Sequence, residues 1–232
     1  MQDSWDKSIN FLKMSVEVER KFLCNADTRK ALEQIGAVCV GQRQFQDQYF
    51  DTPMFDLTLR NMWLRKRNKE CWELKCEAVD GTEEMSRQQT RAVSMCTQYK
   101  EITSLHEIQL RLKEVLKTNS DCEANSLQED ECWLGEMNLV PFAEFITERW
   151  SYTLEEDGVQ VDLDRADFGY SVGEIEVLVP EGGNVKSALE KIERTAQKLG
   201  LTGNQRVDGK MNVYLQRNHP EHYAKLLSNN II

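Results

Sequence analysis

The chain has 232 residues, 40% of them apolar, and a formal net charge of −10, which suits one large domain or two small ones around a substantial core. The acidity argues against a general nucleic-acid binder, which needs a positive surface to release counterions, and no apolar run approaches the roughly 20 residues that span a bilayer. Seven cysteines at irregular spacing, with no C-x-x-C pair and only three histidines, argue against structural zinc and for free, buried thiols in a reducing cytoplasm.

Residues 1–13 read as a polar leader without a secretory h-region, and 14–232 as the folded domain. Strand-like alternation covers Ser15–Leu23, Ala37–Asp51, Thr58–Asn68 and Cys71–Ala78, with Asn68-Lys69-Glu70 as a hairpin turn. Between them, Asp27 or Thr28 starts a helix that ends at Gly36. Asp80–Thr97 is polar and without clear periodicity, and Thr82–Arg91 reads as an idle insertion or a flap. Ser104 opens a helix with Leu105, Ile108, Leu112, Val115 and Leu116 on one face. The acids of Asp121–Glu131 read as a solvated loop. A second strand-rich region covers Glu144–Glu155, Gln160–Phe168 and Val172–Pro180, with a turn at Glu156-Asp157-Gly158. Asn184 or Ser187 starts a helix through Leu189, Ile192, Ala196 and Leu199, and Gly209–Leu227 reads as helix interrupted at Pro220. His106, His219 and His222 fall on helices or tails and are expected to be exposed. The order of strands, helices, strands and helices predicts an α+β fold with a largely antiparallel sheet.

Charge follows the strand period. Glu17, Glu19 and Lys21 stand on one face of their strand and Val16 and Val18 on the other. Two carboxylates about 4 Å apart repel by about 4 kcal/mol at an effective dielectric of about 20, so such a pair invites a divalent cation. The pattern recurs in Trp63, Arg65 and Arg67, in Glu73 and Lys75, in Asp162 and Asp164, and in Glu174 and Glu176, while Arg149 follows apolar Phe145 and Ile146. One such strand is an ordinary solvated face. Several in one sheet, with acids and bases on different strands, point to a polar surface for ions and phosphates. Carboxylate oxygens suit Mg²⁺ or Mn²⁺, and arginine forks match phosphate oxygens. No Walker A motif and no G-x-G-x-x-G follows a strand, so loop-and-helix phosphate sites are absent.

These segments resemble the CYTH superfamily, also called triphosphate tunnel metalloenzymes. Its E-x-E-x-K signature stands here as Glu17-Val18-Glu19-Arg20-Lys21. The supporting segments are Trp63-Leu64-Arg65-Lys66-Arg67, Trp72-Glu73-Leu74-Lys75, Val161-Asp162-Leu163-Asp164 and Gly173-Glu174-Ile175-Glu176. The phrases VEVERKFL, YFDTP, WELKC, ADFGYSVGE and VYLQR look most like animal members that hydrolyse thiamine triphosphate.

The resemblance spans Ser15 to Leu227. It implies a closed eight-stranded antiparallel β-barrel, or tunnel, with helices packed outside. It also implies a single CYTH domain and a monomeric cytoplasmic hydrolase of a small-molecule triphosphate, with Mg²⁺ (or Mn²⁺) as cofactor and no nucleic-acid or membrane partner. It places Glu17, Glu19, Asp162, Glu174 and Glu176 on the metal, and Lys21, Arg65, Arg67, Lys75, Arg149, Asp162 and Lys210 on the substrate. Trp63 is expected to stack on the thiazolium ring, a cation–π contact worth roughly 0.5–2 kcal/mol. Tyr49 and Lys75 resemble a pair that positions or activates water, and Asp164 is expected to support the site rather than hold the ion. The same residues fit an inorganic tripolyphosphatase or a broad nucleoside triphosphatase. A non-catalytic polyphosphate-binding protein would be expected to lack one of these acids or bases, and none is missing.

Overall fold

Val18 and Phe22 alternate with Glu19 and Lys21 along β1 (Ser15–Leu23), so the strand period sends an apolar row to one face and a charged row to the other. In the computed structural model the apolar row meets Ile175 and Val177 of β8 (Tyr170–Pro180) and Val161 of β7 (Val159–Ala166) in a buried cluster. The structure describes residues 15–78, 95–117, 132–155, 157–180, 182–201, 203 and 206–232. The expected leader, the Thr82–Arg91 insertion and the Asp121–Glu131 loop lie outside the described residues.

The remaining strands are β2 (Val38–Asp51), β3 (Met62–Arg67), β4 (Cys71–Glu77), β5 (Cys96–Ile102) and β6 (Val140–Leu154). The helices are α1 (Thr28–Gln34), α2 (Leu105–Leu116), α3 (Cys132–Glu136), α4 (Val185–Lys198), α5 (Lys210–Asn218) and α6 (Pro220–Ser228). The strands form one eight-stranded antiparallel sheet, in which β1 pairs with β5 and β8, β7 with β6 and β8, and β3 with β2 and β4. No described helix is long and apolar enough to cross a membrane.

Two compact units form. The first takes the described parts of Met1–Phe45, Glu77–Glu101 and Ile146–Val213; the second takes Gln46–Cys76, Ile102–Phe145 and Tyr214–Ile232. In the first, α4 packs on β8 and β1 through Leu189, Ile192 and Ala196, which are buried at helical spacing. Asn184 caps that helix by accepting the Ser187 N–H at 3.1 Å. In the second, Leu64 and Leu74 of β3 and β4 pack with Ile108 and Leu112 of α2 and Trp133 of α3. Each fully buried leucine or isoleucine contributes roughly 1.5–3 kcal/mol.

The expected elements correspond closely, with several corrections, among them the short helix α3, which was not expected. The segment expected as one strand over Thr58–Asn68 begins with a 3-10 turn (Thr58–Arg60) before β3. The cause is Asp51, 1% exposed, whose carboxylate accepts the N–H groups of Thr52 at 2.7 Å, Leu57 at 2.8 Å and Thr58 at 2.9 Å, folding the intervening chain around it. β5 was not expected. Its Thr97, Gln98, Lys100 and Glu101 carry no apolar alternation, because all seven of its residues are only half-buried. The thiols are not uniformly buried: Cys39, Cys71 and Cys132 are exposed, whereas burial pushes Cys24 up to about 12 and Cys96 up to about 11. The expected hairpin turn is present, with Asn68 and Lys69 at φ 52° and 61°, the pairing of left-handed residues that matches strand twist.

His222 also departs from expectation. It is 2% exposed, stacks on Phe55 at 3.7 Å between ring centroids, and lies with Nε2 2.8 Å from Thr58 Oγ1. Thr58 Oγ1 donates to Asp51 at 2.7 Å, which assigns the proton of this contact to His222 Nε2. Helix periodicity alone did not reveal it, because the residues that enclose it, Phe55, Thr58 and Phe142, come from distant segments.

Two expected outcomes follow from this packing. Burial, helped by the charges of His219 and Lys225, lowers the His222 pKa to about 4. The unfolded chain then binds a proton below about pH 6.5 that the native protein refuses until about pH 4, so stability falls as pH drops through that window. Unfolding free energies from urea titrations at pH 7.5 to 5 should fall less steeply for His222→Gln than for the parent, by about 1–3 kcal/mol in total; parallel slopes would refute the assignment. Gly173 of β8 stands opposite Phe22 of β1, and a Cβ there would enter the Phe22 ring. Gly173→Ala should therefore destabilise by about 1–3 kcal/mol, whereas Gly173→Ala combined with Phe22→Leu should recover part of the loss in the same denaturation measurement.

Candidate active site

The charged face of the first unit is assembled by strand register. Thr97, Glu19, Glu176 and Gln160 lie opposite one another across β5, β1, β8 and β7. Lys21, Glu174, Asp162 and Ser151 form the next row, and Val172, Asp164 and Arg149 the third. Directly opposed side chains sit about 4.5–5.5 Å apart at Cβ, so Glu19 faces Glu176 and Glu174 faces Asp162 at a distance where like charges repel. Glu17 stands on the same face of β1, two residues before Glu19.

Cations interleave with these acids. Arg149 Nε donates to Asp164 Oδ1 and Nη2 to Asp164 Oδ2, each at 2.6 Å, and Nη2 also donates to Glu174 Oε2 at 3.1 Å. Its Nη1 donates to Asp162 Oδ2. Burial alone would lower the Arg149 pKa, but Asp164, Glu174 and Asp162 raise it well above the ordinary arginine value, so this buried side chain stays charged. Lys210, at the start of α5, pairs with Asp164 and lies 3.8 Å from Glu174 Oε1. Tyr170 donates to the Asp208 carbonyl at 2.7 Å and so anchors the chain that delivers Lys210. Lys21 pairs with Glu19 and lies 3.7 Å from Glu174 Oε1, and Thr97 donates to Glu19 at 3.0 Å. Asp164 is thus held by Arg149 and Lys210.

Six acids against three bases leave this face short of positive charge. Burial, then Glu17 and Asp162, pushes Glu176 up to about 9 although Arg149 opposes the rise. Asp162 Oδ1 is buried with no hydrogen-bond partner. An excess of oxygen donors, one of them unsatisfied and another driven towards protonation, fits a hard divalent cation. Among the described residues no three acids converge closely enough to hold an ion as they stand, because Arg149, Lys21 and Lys210 draw several carboxylates to themselves.

The second unit carries a basic cluster. Trp63, Arg65 and Arg67 alternate along one face of β3, with Lys75 opposite Trp63, Glu73 opposite Arg65, and Asp47 opposite Arg67. Arg65 donates through Nε to Glu73 at 2.6 Å and through Nη1 to the Tyr49 hydroxyl at 3.4 Å. Tyr49 is buried against Phe145, with ring centroids 5.7 Å apart. Trp63 is held by its indole N–H, which donates to Asn61 Oδ1 at 3.0 Å. Tyr49 and Lys75 share the face but stand on β2 and β4 with β3 between them, about 10 Å apart at the backbone.

The first unit therefore gathers Glu17, Glu19, Lys21, Arg149, Asp162, Glu174, Glu176 and Lys210, and the second Tyr49, Trp63, Arg65, Arg67 and Lys75. Residue patterning missed Asp47, Asn61, Thr97 and Gln160. Asp47 was legible, since it lies two residues before Tyr49 and so shares its face. Thr97 had no signal, because nothing in its segment marks a strand.

A family model of the CYTH domain matches residues 15–208. The chain is 37% identical over 222 residues to thiamine-triphosphatase of Homo sapiens, covering 93% of this chain and 90% of that protein. It is 36% identical to the Macaca fascicularis thiamine-triphosphatase over the same shares. In fold, it is similar to the PH1819 protein of Pyrococcus horikoshii (TM-score 0.53, 17% identity, covering 86% of this chain and 97% of that one). It is also similar to a Hippeastrum protein described as having a dominant triphosphatase activity (TM-score 0.53, 16% identity, covering 88% and 96%). With the E-x-E-x-K row and its partner strands inside the matched span, the chain belongs to the CYTH family.

Proposed function

We propose that this protein is a divalent-metal-dependent hydrolase that converts thiamine triphosphate to thiamine diphosphate and orthophosphate. The observation that carries the reading is the division of charge: an acid-rich face on β1, β8 and β7 and a basic cluster with Trp63 on β3 and β4. A metal triphosphate presents the complementary charges, a cation and an extended polyanion. The human and macaque relatives, named for this activity, support the thiamine end of the substrate.

In this reading Glu17, Glu19, Asp162, Glu174 and Glu176 hold Mg²⁺, for which Mn²⁺ can substitute. The ion supplies positive charge to the phosphate oxygens. Lys21, Arg65, Arg67, Lys75, Arg149 and Lys210 bind the triphosphate, with Asp162 at its edge, and Trp63 stacks on the thiazolium ring. Tyr49 and Lys75 orient the attacking water. Its oxygen bonds to the terminal phosphorus as the bond to the bridging oxygen breaks, that oxygen departs on the diphosphate, and the water's protons pass to the orthophosphate and to solvent. The strand order β1-β5-β4-β3-β2-β6-β7-β8, whose last member pairs with its first, supports closure into a tunnel, with residues 14–232 acting as one domain. The six described cysteines are free, which supports a reducing, cytoplasmic setting; we propose a monomer there.

Glu19→Gln should lower Mg²⁺-dependent phosphate release from thiamine triphosphate by about 10²-fold or more, with a melting temperature that reports a folded protein; full turnover would remove Glu19 from the metal site. Trp63→Ala should raise KM for thiamine triphosphate by roughly 2- to 30-fold, the equivalent of the stacking contact, and leave KM for inorganic tripolyphosphate unchanged. An equal effect on both would favour a tripolyphosphatase, and binding without release of phosphate from any triphosphate would favour a non-catalytic binder.

A further inference from the structure

We propose that Asp47 is the positioning residue of the phosphate-binding arginines, acting through the guanidinium forks of Arg67 and Arg65; the inference rests on the triphosphate reading above. Asp47 is 1% exposed and stands opposite Arg67 in the β2–β3 register. Its Oδ1 accepts Arg67 Nε at 2.8 Å and its Oδ2 accepts Arg67 Nη2 at 2.9 Å, a bidentate fork. The same Oδ2 lies 3.6 Å from Arg65 Nη1. On the far side Glu73 accepts Arg65 Nε at 2.6 Å, and its Oε1 lies 3.6 Å from Arg67 Nη1. Two carboxylates and two guanidiniums thus alternate, each carboxylate touching both bases.

The two arginines are neighbours on one face of β3, so their charges repel and their long side chains have many rotamers. Asp47 answers both problems. It is buried against the pair, in contact with both guanidiniums, and its fork fixes the plane of Arg67. A guanidinium already held in plane loses less freedom when it meets a phosphate than one that must be ordered on arrival. Both Asp47 oxygens are engaged by arginine, and Glu73 is the other acid of this cluster.

Charge and position predict opposite signs, which makes the inference testable. Removing a carboxylate beside an anion site strengthens polyanion binding if Asp47 acts only through its charge, and weakens it if Asp47 acts by orienting the forks. In the full-length protein, titration calorimetry with inorganic tripolyphosphate in the absence of metal should show Asp47→Asn binding about tenfold more weakly than the parent. Arg67→Lys, which keeps the charge but lacks the fork, should weaken binding similarly. The double variant should be no weaker than the poorer single within about twofold, because both changes break one contact.

Unchanged or tighter binding by Asp47→Asn would overturn the inference, as would losses that multiply in the double variant. If Asp47→Asn fails to fold, the cycle is run with Asp47→Glu, and multiplicative losses there overturn it equally. A parent protein that binds tripolyphosphate while the variants behave independently leaves the triphosphate reading standing. A parent that neither binds tripolyphosphate nor releases phosphate from thiamine triphosphate overturns both.

Discussion

Like charges held face to face are the constraint on which this molecule turns. Pairing β8 between β1 and β7 sets Glu19 against Glu176 and Glu174 against Asp162, at separations that cost free energy unless positive charge lies among them. The fold supplies some of that charge through Arg149, Lys21 and Lys210. It leaves a remainder, visible in the raised Glu176 and the unpartnered Asp162 oxygen. An arrangement that stops short of neutrality is poorly suited to stability alone. It is well suited to a bound cation, and the proposed metal site is the reading that removes the deficit.

The basic cluster on β3 and β4 solves the converse problem. Arg65 and Arg67 stand side by side, and Asp47 and Glu73 are placed to hold them apart and in plane. Trp63, tethered by Asn61, and Tyr49, packed on Phe145, add rigid aromatic surface to the same face. The apolar clusters beneath each unit make this possible. Val18, Phe22 and Ile175 in the first unit, and Leu64, Leu74 and Ile108 in the second, hold the strands whose opposite faces carry the charge. Gly173 shows how closely the two roles are coupled, since the glycine that admits the Phe22 ring immediately precedes Glu174.

Much of this was legible from residues two apart. The alternation at Glu17, Glu19 and Lys21 and at Trp63, Arg65 and Arg67 assigned side chains to faces correctly, because strand geometry is local and has a period of two. Helix α4 was legible for the same kind of reason, with Asn184 as its cap and Leu189, Ile192 and Ala196 at helical spacing. β5 was not, because its residues are half-buried on both faces and its polar side chains carry no alternation. The 3-10 turn at Thr58 was hidden because Asp51, seven residues earlier, directs it with its side chain. Burial of His222 was hidden because its stacking partner and its hydrogen-bond partner belong to distant sequence.

By itself, the sequence determined the α+β class and the face on which each charged strand residue stands. These depend on backbone periodicity and on residue chemistry within a few positions. Only the tertiary structure decided which strands are neighbours, and hence that Glu19 confronts Glu176, that Arg149 is claimed by three acids, and that Asp47 contacts both arginines. Strand order is set by hydrogen bonding and apolar packing between segments far apart in the chain, and no local pattern encodes it.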